Sequence, residues 1–161
     1  MKKTILTLTA VLILCNTLFA TGQRPERIIY NSKEFSLFTD PLESLFTEGN
    51  PRPAKLFGYA CTASRRGYIA TWEINNGKLF LIKIVAGDCS AEPADLDVSS
   101  IFKKPLPVEA TWYSGVLRIP RGKLLKFINA GYASVYEEEL LLTIKNGILV
   151  KEEIKKNSRP D

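Results

Sequence analysis

The sequence predicts a mainly β protein: a single antiparallel sheet or small barrel with one or two short helices, or an α+β variant of it. Two observations carry this. Asn-Gly occurs at Asn76-Gly77 and again at Asn146-Gly147, each time between two apolar runs, and this dipeptide accepts the positive φ angles that a tight hairpin turn requires. The apolar runs are also joined by short turns without amphipathic helices, which favours antiparallel pairing over βαβ units.

Taken from the start, the chain opens with Lys2 and Lys3 and then runs from Thr4 to Cys15 without a charge. A basic start followed by a short apolar stretch is the pattern of a secretory signal. Small Ala20 and Gly22 suit the −3 and −1 positions of a signal peptidase, so residues 1–22 are expected to be removed, leaving one domain over 23–161. The alternative is a lipid anchor on Cys15, with Leu12 three residues before it, although Leu14 is bulkier than the residue that usually precedes a lipidated cysteine. No later run approaches the roughly 20 apolar residues of a membrane-spanning helix. A periplasmic or secreted location is expected.

Loss of Lys2 and Lys3 lowers the formal charge from +5 to +3. The basic pairs Arg65-Arg66, Lys103-Lys104 and Lys155-Lys156 stand among acids and read as solvated surface, so no nucleic-acid partner is expected. Of three cysteines, Cys61 and Cys89 would remain after export. In an oxidising compartment they are expected to form a disulfide, with two unpaired thiols as the alternative.

Residues 23–57 carry Pro25, Pro41, Pro51 and Pro53 and are expected to lie over the surface. Ile28–Tyr30 and Glu34–Phe38 read as brief strands. Thr39-Asp40-Pro41 supplies a cap and a first-turn proline for a short helical segment from Pro41 to Phe46. The first hairpin pairs Tyr68–Ile74 with Lys78–Ile84. A two-residue turn sets Trp72 opposite Leu81, Thr71 opposite Ile82, Ile69 opposite Ile84 and Tyr68 opposite Val85. Both faces are largely apolar, which places this hairpin centrally.

Residues 87–107 read as a connection with a helical turn around Leu96–Phe102. Trp112–Ile119 alternates as a strand and is ended by Pro120-Arg121-Gly122; Lys123–Ile128 fits either a strand or a short helix. The second hairpin pairs Tyr136–Ile144 with Ile148–Ile154. A two-residue turn sets Leu142 opposite Lys151, Glu138 opposite Lys155 and Glu137 opposite Lys156. Residues 155–161 read as a frayed tail.

Several stretches, Asp40-Pro41-Leu42-Glu43, Pro51-Arg52-Pro53, Arg66–Ile74, Trp112–Gly122 and Gly131-Tyr132 to Tyr136-Glu137, resemble a family of uncharacterised small bacterial proteins. The resemblance covers most of the chain after the signal. It implies a single domain and brings no activity or catalytic residues.

The chain contains no histidine, which removes Ser-His-Asp and Cys-His catalysis and the commonest zinc ligand together. No cofactor or metal is expected. Glu73, Glu109, Asp88 and Asp95 are the acids to consider for paired-carboxylate hydrolysis, but no spacing singles out a pair. Glu137-Glu138-Glu139 would place consecutive acids on opposite faces of a strand, unlike the converging oxygens of a calcium site. Trp112, Tyr113, Arg118, Tyr132 and Tyr136 combine flat rings with a planar cation and are the candidate recognition surface, set against ordinary sheet packing. The expectation is a non-enzymatic binding domain, of inhibitor or immunity type among others, whose partner is a protein or a cell-envelope polysaccharide. A carboxylate-dependent carbohydrate-active or other hydrolytic protein is the alternative.

Overall fold

A computed structural model describes residues 22–58 and 61–159. Residues 1–21, holding nearly all of the expected signal segment and Cys15, lie outside the described residues.

Among the described residues, eight strands form one sheet: β1 (Glu26–Tyr30), β2 (Lys33–Leu37), β3 (Tyr68–Asn75), β4 (Lys78–Ala86), β5 (Val108–Glu109), β6 (Gly115–Lys126), β7 (Val135–Lys145) and β8 (Ile148–Lys156). Their spatial order is β2-β1-β3-β4-β8-β7-β6, and the short β5 pairs with β4. Among the described residues, one helix, α1 (Ser99–Phe102), and a 3-10 turn over Pro41–Leu45 complete the regular structure. The protein is mainly β, as expected.

The sheet is mixed rather than purely antiparallel, because β1 runs parallel to β3. Parallel neighbours need a long crossover, and the proline-rich residues 38–67 supply it. That segment does not simply lie over the surface: Leu42 and Phe57 are buried in the main apolar cluster with Ile28 and Leu37. The β1–β2 turn at Asn31-Ser32 has positive φ at both residues, as do the turns at Asn76-Gly77 and Asn146-Gly147. Three hairpins therefore share the twist-compatible turn.

Both Asn-Gly hairpins keep the expected register only near the turn. Trp72 faces Leu81, but a bulge then shifts the pairing, so Thr71 faces Lys83, Ile69 faces Val85 and Tyr68 faces Ala86. In the second hairpin a bulge past Ile144 sets Thr143 opposite Lys151, Leu142 opposite Glu152, Glu139 opposite Lys155 and Glu138 opposite Lys156. An extra residue in one strand reorients the side chains that follow. Leu81 and Ile84 can thus both be buried although three positions apart.

Trp112–Ser114 precede β6, which starts at Gly115 and does not end at Pro120 but runs on to Lys126. Proline is tolerated there because β6 is an edge strand. Lys155 and Lys156 belong to β8 rather than to a frayed tail, and Asn157 N–H still donates to Glu137 O at 2.9 Å. The outer strands approach at one place, where Phe38 N–H donates to Arg118 O at 2.8 Å and Arg118 N–H to Thr39 Oγ1 at 3.0 Å. The sheet is open, yet it curls until its edges touch. Cys61 and Cys89 form a disulfide with a Cα–Cα distance of 6.2 Å, tying the loop before β3 to the loop after β4. No described helix is long and apolar enough to cross a membrane.

Candidate functional site

The five aromatic and basic candidates do not form one surface. Tyr113 is buried and Trp112 is half-buried, stacked on Phe102 with ring centroids 5.3 Å apart and tilted towards Trp72 at 6.4 Å. Both serve packing. Arg118 donates from Nη2 to Glu139 Oε1 at 2.5 Å, and Lys155 Nζ approaches Glu139 Oε2 at 3.4 Å. Only Tyr132 and Tyr136 come together, on either side of Phe38: Tyr132 stacks on that ring at 5.1 Å, and Tyr136 meets it edge-on at 5.7 Å.

Behind Tyr132 lies a buried polar knot that the sequence reading did not assemble. Arg66 Nη1 donates to Tyr132 Oη at 2.6 Å and lies 3.1 Å from Asp40 Oδ1; Arg66 Nη2 donates to Arg24 O at 3.0 Å. Tyr132 Oη–H in turn donates to Asp40 Oδ1 at 2.9 Å. Asp40 therefore holds Arg66 and Tyr132 instead of capping the 3-10 turn, where its side chain makes no bond. Glu26 is fully buried; its Oε2 accepts Trp72 Nε1–H at 2.5 Å, while its Oε1 faces Arg66 Nε at 3.6 Å, too far for a hydrogen bond. Tyr68 Oη–H donates to Glu43 Oε1 at 2.8 Å, beside Arg52.

Burial governs the protonation of this knot. It pushes the Glu26 carboxyl well above its usual value against the pull of Arg66. Burial likewise raises Asp40, with Arg66 opposing. For Arg66 burial acts downward, but Asp40 and Glu26 more than offset it and the guanidinium is held charged. The local sequence explains the arrangement: Glu26 alternates with Ile28 and Tyr30 on the inward face of β1, and Arg66 stands two residues before Tyr68 at the start of β3. The alternation at 26, 28 and 30 was the signal that could have revealed Glu26.

In front of the knot is a groove of about 230 Å³ lined by Pro25, Ser36, Phe38, Phe127, Gly131 and Tyr136, among others. It lies between the ends of β2 and β6, where the sheet edges meet. Phe127 is 66 % exposed and nearby Leu124 46 %. The sequence showed these only as part of an undecided stretch. An exposed ring beside a concave, ring-lined surface is the arrangement of an interaction anchor.

The carboxylates considered for hydrolysis are dispersed. Glu109 pairs with Lys78 at 3.1 Å, Asp95 pairs with Lys83 at 3.2 Å, and Asp88 accepts Ser90 N–H at 3.0 Å. Glu73, opposite Phe80, has no side-chain partner among the described residues. Glu137 Oε2 accepts Lys123 N–H at 2.8 Å, so the acidic triplet is divided between separate contacts. Among the described residues no group of three or more His, Cys, Asp or Glu is placed to hold a metal ion.

The chain matches no protein family, and no curated protein or solved structure is detectably similar to it.

Proposed function

We propose that this protein is an exported, non-enzymatic binding domain of the periplasm or cell envelope, and that it engages a protein partner through the groove lined by Phe38, Tyr136 and Phe127. The observation that carries this reading is the exposed ring of Phe127 beside a concave surface lined by Phe38 and Tyr136, with Phe38 stacked on Tyr132 of the knot. Tyr132 is committed to Asp40 and Arg66 and stacks on Phe38, so it backs that ring from behind the groove. Phe127 and Leu124 are left as apolar anchors of the kind that a protein interface desolvates. The Cys61–Cys89 disulfide fits an oxidising compartment.

The test is capture from envelope extract by the exported protein and by a Phe127→Ser variant. Because Phe127 is exposed, the variant keeps its fold. A saturable protein partner is expected, weakened roughly thirtyfold in the variant, the effect of losing about 2 kcal/mol at an anchor. Equal capture by both proteins, or capture of polysaccharide alone, would overturn the reading.

A further inference from the structure

The two Asn-Gly hairpins touch only at their turns. Leu79 N–H donates to Gly147 O and Leu149 N–H to Gly77 O, both at 2.8 Å, and Lys78 pairs with Ile148. This pairing is antiparallel, so from there β4 and β8 run in opposite directions and leave each other. The edge of β4 is taken by β5. The edge of β8 past Val150 pairs with no strand among the described residues.

Backbone groups along an antiparallel strand turn alternately to its two sides. Asn157 N–H donates to Glu137 O on the β7 side at 2.9 Å, so Lys151, Glu153 and Lys155 also turn their backbone to β7. Glu152, Ile154 and Lys156 therefore present N–H and C=O to the open side. A free edge is ordinarily protected by a proline, a bulge or lysines that repel an incoming strand. This segment has no proline, its bulge lies back at Val150, and its lysines are matched by acids.

Those charges are arranged about one residue. Glu152-Glu153-Ile154-Lys155-Lys156 is two acids, an apolar residue and two bases, a pattern that inverts its charge about Ile154. A second copy of β8 laid antiparallel on the open edge, with a two-fold axis at Ile154, sets Glu152 opposite Lys156 and Glu153 opposite Lys155, in both directions. Opposite charges directly across a strand pair favour it, and like charges oppose it. An axis at any other residue from Lys151 to Lys156 sets a charge against its own copy, and a parallel in-register pairing does so at every charged position. On β7, Glu139 stands beside Lys155 and Glu138 beside Lys156, so each lysine would lie between a carboxylate of its own chain and one of the second copy. The present contacts leave these groups available: Glu153 meets exposed Lys151 at 2.7 Å, Glu152 accepts Tyr30 Oη–H at 2.7 Å, and Lys156 has no ion pair among the described residues. Ile154, 54 % exposed, would be covered by its own copy.

We infer that β8 is a self-association edge, separate from the aromatic groove. Two copies join antiparallel through residues 152–156 about an axis at Ile154, and the sheet of one molecule continues into the next. Glu152, Ile154 and Lys156 of each copy exchange main-chain hydrogen bonds with Lys156, Ile154 and Glu152 of the other.

The experiment is sedimentation equilibrium of the exported protein from micromolar to millimolar concentration, with amide hydrogen exchange followed over the same range. Two variants accompany it: Lys155→Glu with Lys156→Glu, which makes the segment wholly acidic, and Glu152→Lys with Glu153→Lys, which makes it wholly basic. The parent is expected to form a dimer as concentration rises, a weak one because one strand pair is a small interface, with exchange slowed at the Glu152, Ile154 and Lys156 amides. Each variant alone should dimerise at least about tenfold more weakly, since like charges then face each other. An equimolar mixture of the two should restore association to at least the parent's level. The inference is overturned if the parent stays monomeric throughout, as it would were the edge reserved for a strand of another protein. It is equally overturned if protection spares those three amides, or if the mixture associates no better than the separate variants. Circular dichroism certifies the fold of each variant, and a misfolded one leaves the parent's exchange pattern as the deciding measurement.

Discussion

Arg66 joins parts of the chain that are far apart in sequence: Glu26 on β1, the carbonyl of Arg24, Asp40 in the crossover and Tyr132 in the loop before β7. Replacing it by methionine would leave the buried Glu26 and the half-buried Asp40 without their cation. Arg66→Met is expected to cost about 3 kcal/mol, read from urea midpoints. Arg66→Lys should recover only part of this, since an ammonium cannot span several partners as a planar fork does. The knot also sets a pH dependence. Glu26 and Asp40 are held above their usual values of 4.5 and 3.8, so the folded protein binds these protons more tightly than the unfolded chain. Their contribution is greatest below those values and falls as pH rises towards the folded ones. Urea midpoints measured from pH 4 to 7 should show this decline, with a flatter profile in Glu26→Gln; an identical slope in the variant would contradict it. Little of this was legible in the sequence, because a charge-bearing core residue is recognised only once its distant partners are known. Asp40 beside Pro41 read as a cap, the use its local neighbours suggest.

At the scale of elements, what was legible is what is local. Asn76-Gly77 and Asn146-Gly147 located two turns because backbone sterics at two residues decide the turn type. The bulges were not legible, since they arise from the packing of whole strands, and each moved the cross-strand pairs beyond it by one position. The parallel β1–β3 pairing was hidden for the same reason: nothing in residues 26–30 names a partner more than 40 residues on. The two turns also make a matched comparison. Gly77 and Gly147 have nearly equal φ, +73° and +78°, but a Cβ at Gly77 would meet nothing within 4 Å, whereas at Gly147 it would come within 2.9 Å of Ala110 O. Gly77→Ala is expected to cost about 1–2 kcal/mol from backbone strain alone, and Gly147→Ala distinctly more, as thermal melts of the two variants would show. The disulfide staples the open end of the first hairpin, and its sequence separation of 28 corresponds to about 3–4 kcal/mol in the chain-entropy account. A Cys61→Ala, Cys89→Ala variant should lose that amount in urea unfolding, and a change below 1 kcal/mol would count against the staple.

Over the whole molecule, one sheet curls until Phe38, just past β2, meets Arg118 of β6, and this seam places the aromatic groove at the sheet's edge, in front of the Arg66 knot. Mainly β architecture could be read from turns and apolar runs, but the seam could not, because curling depends on accumulated twist and on bulges along every strand. For this reason only Tyr132 and Tyr136, of the five residues first considered for recognition, share a site, while Trp112 and Tyr113 were drawn inward. Export is tested by intact mass of the envelope or secreted fraction: a chain beginning at Gln23, two hydrogens lighter than the reduced form, is expected, and a full-length chain recovered from the cytoplasm would refute it. The binding reading itself is tested most directly by site-specific photocrosslinking in cells, with the photoreactive residue placed at Phe127 in one variant and at Val150, on β8 away from the groove, in another. A discrete protein adduct from position 127 and none with that protein from position 150 is expected; no adduct at 127, or the same adducts from both positions, would contradict the assignment of the aromatic groove as the binding surface.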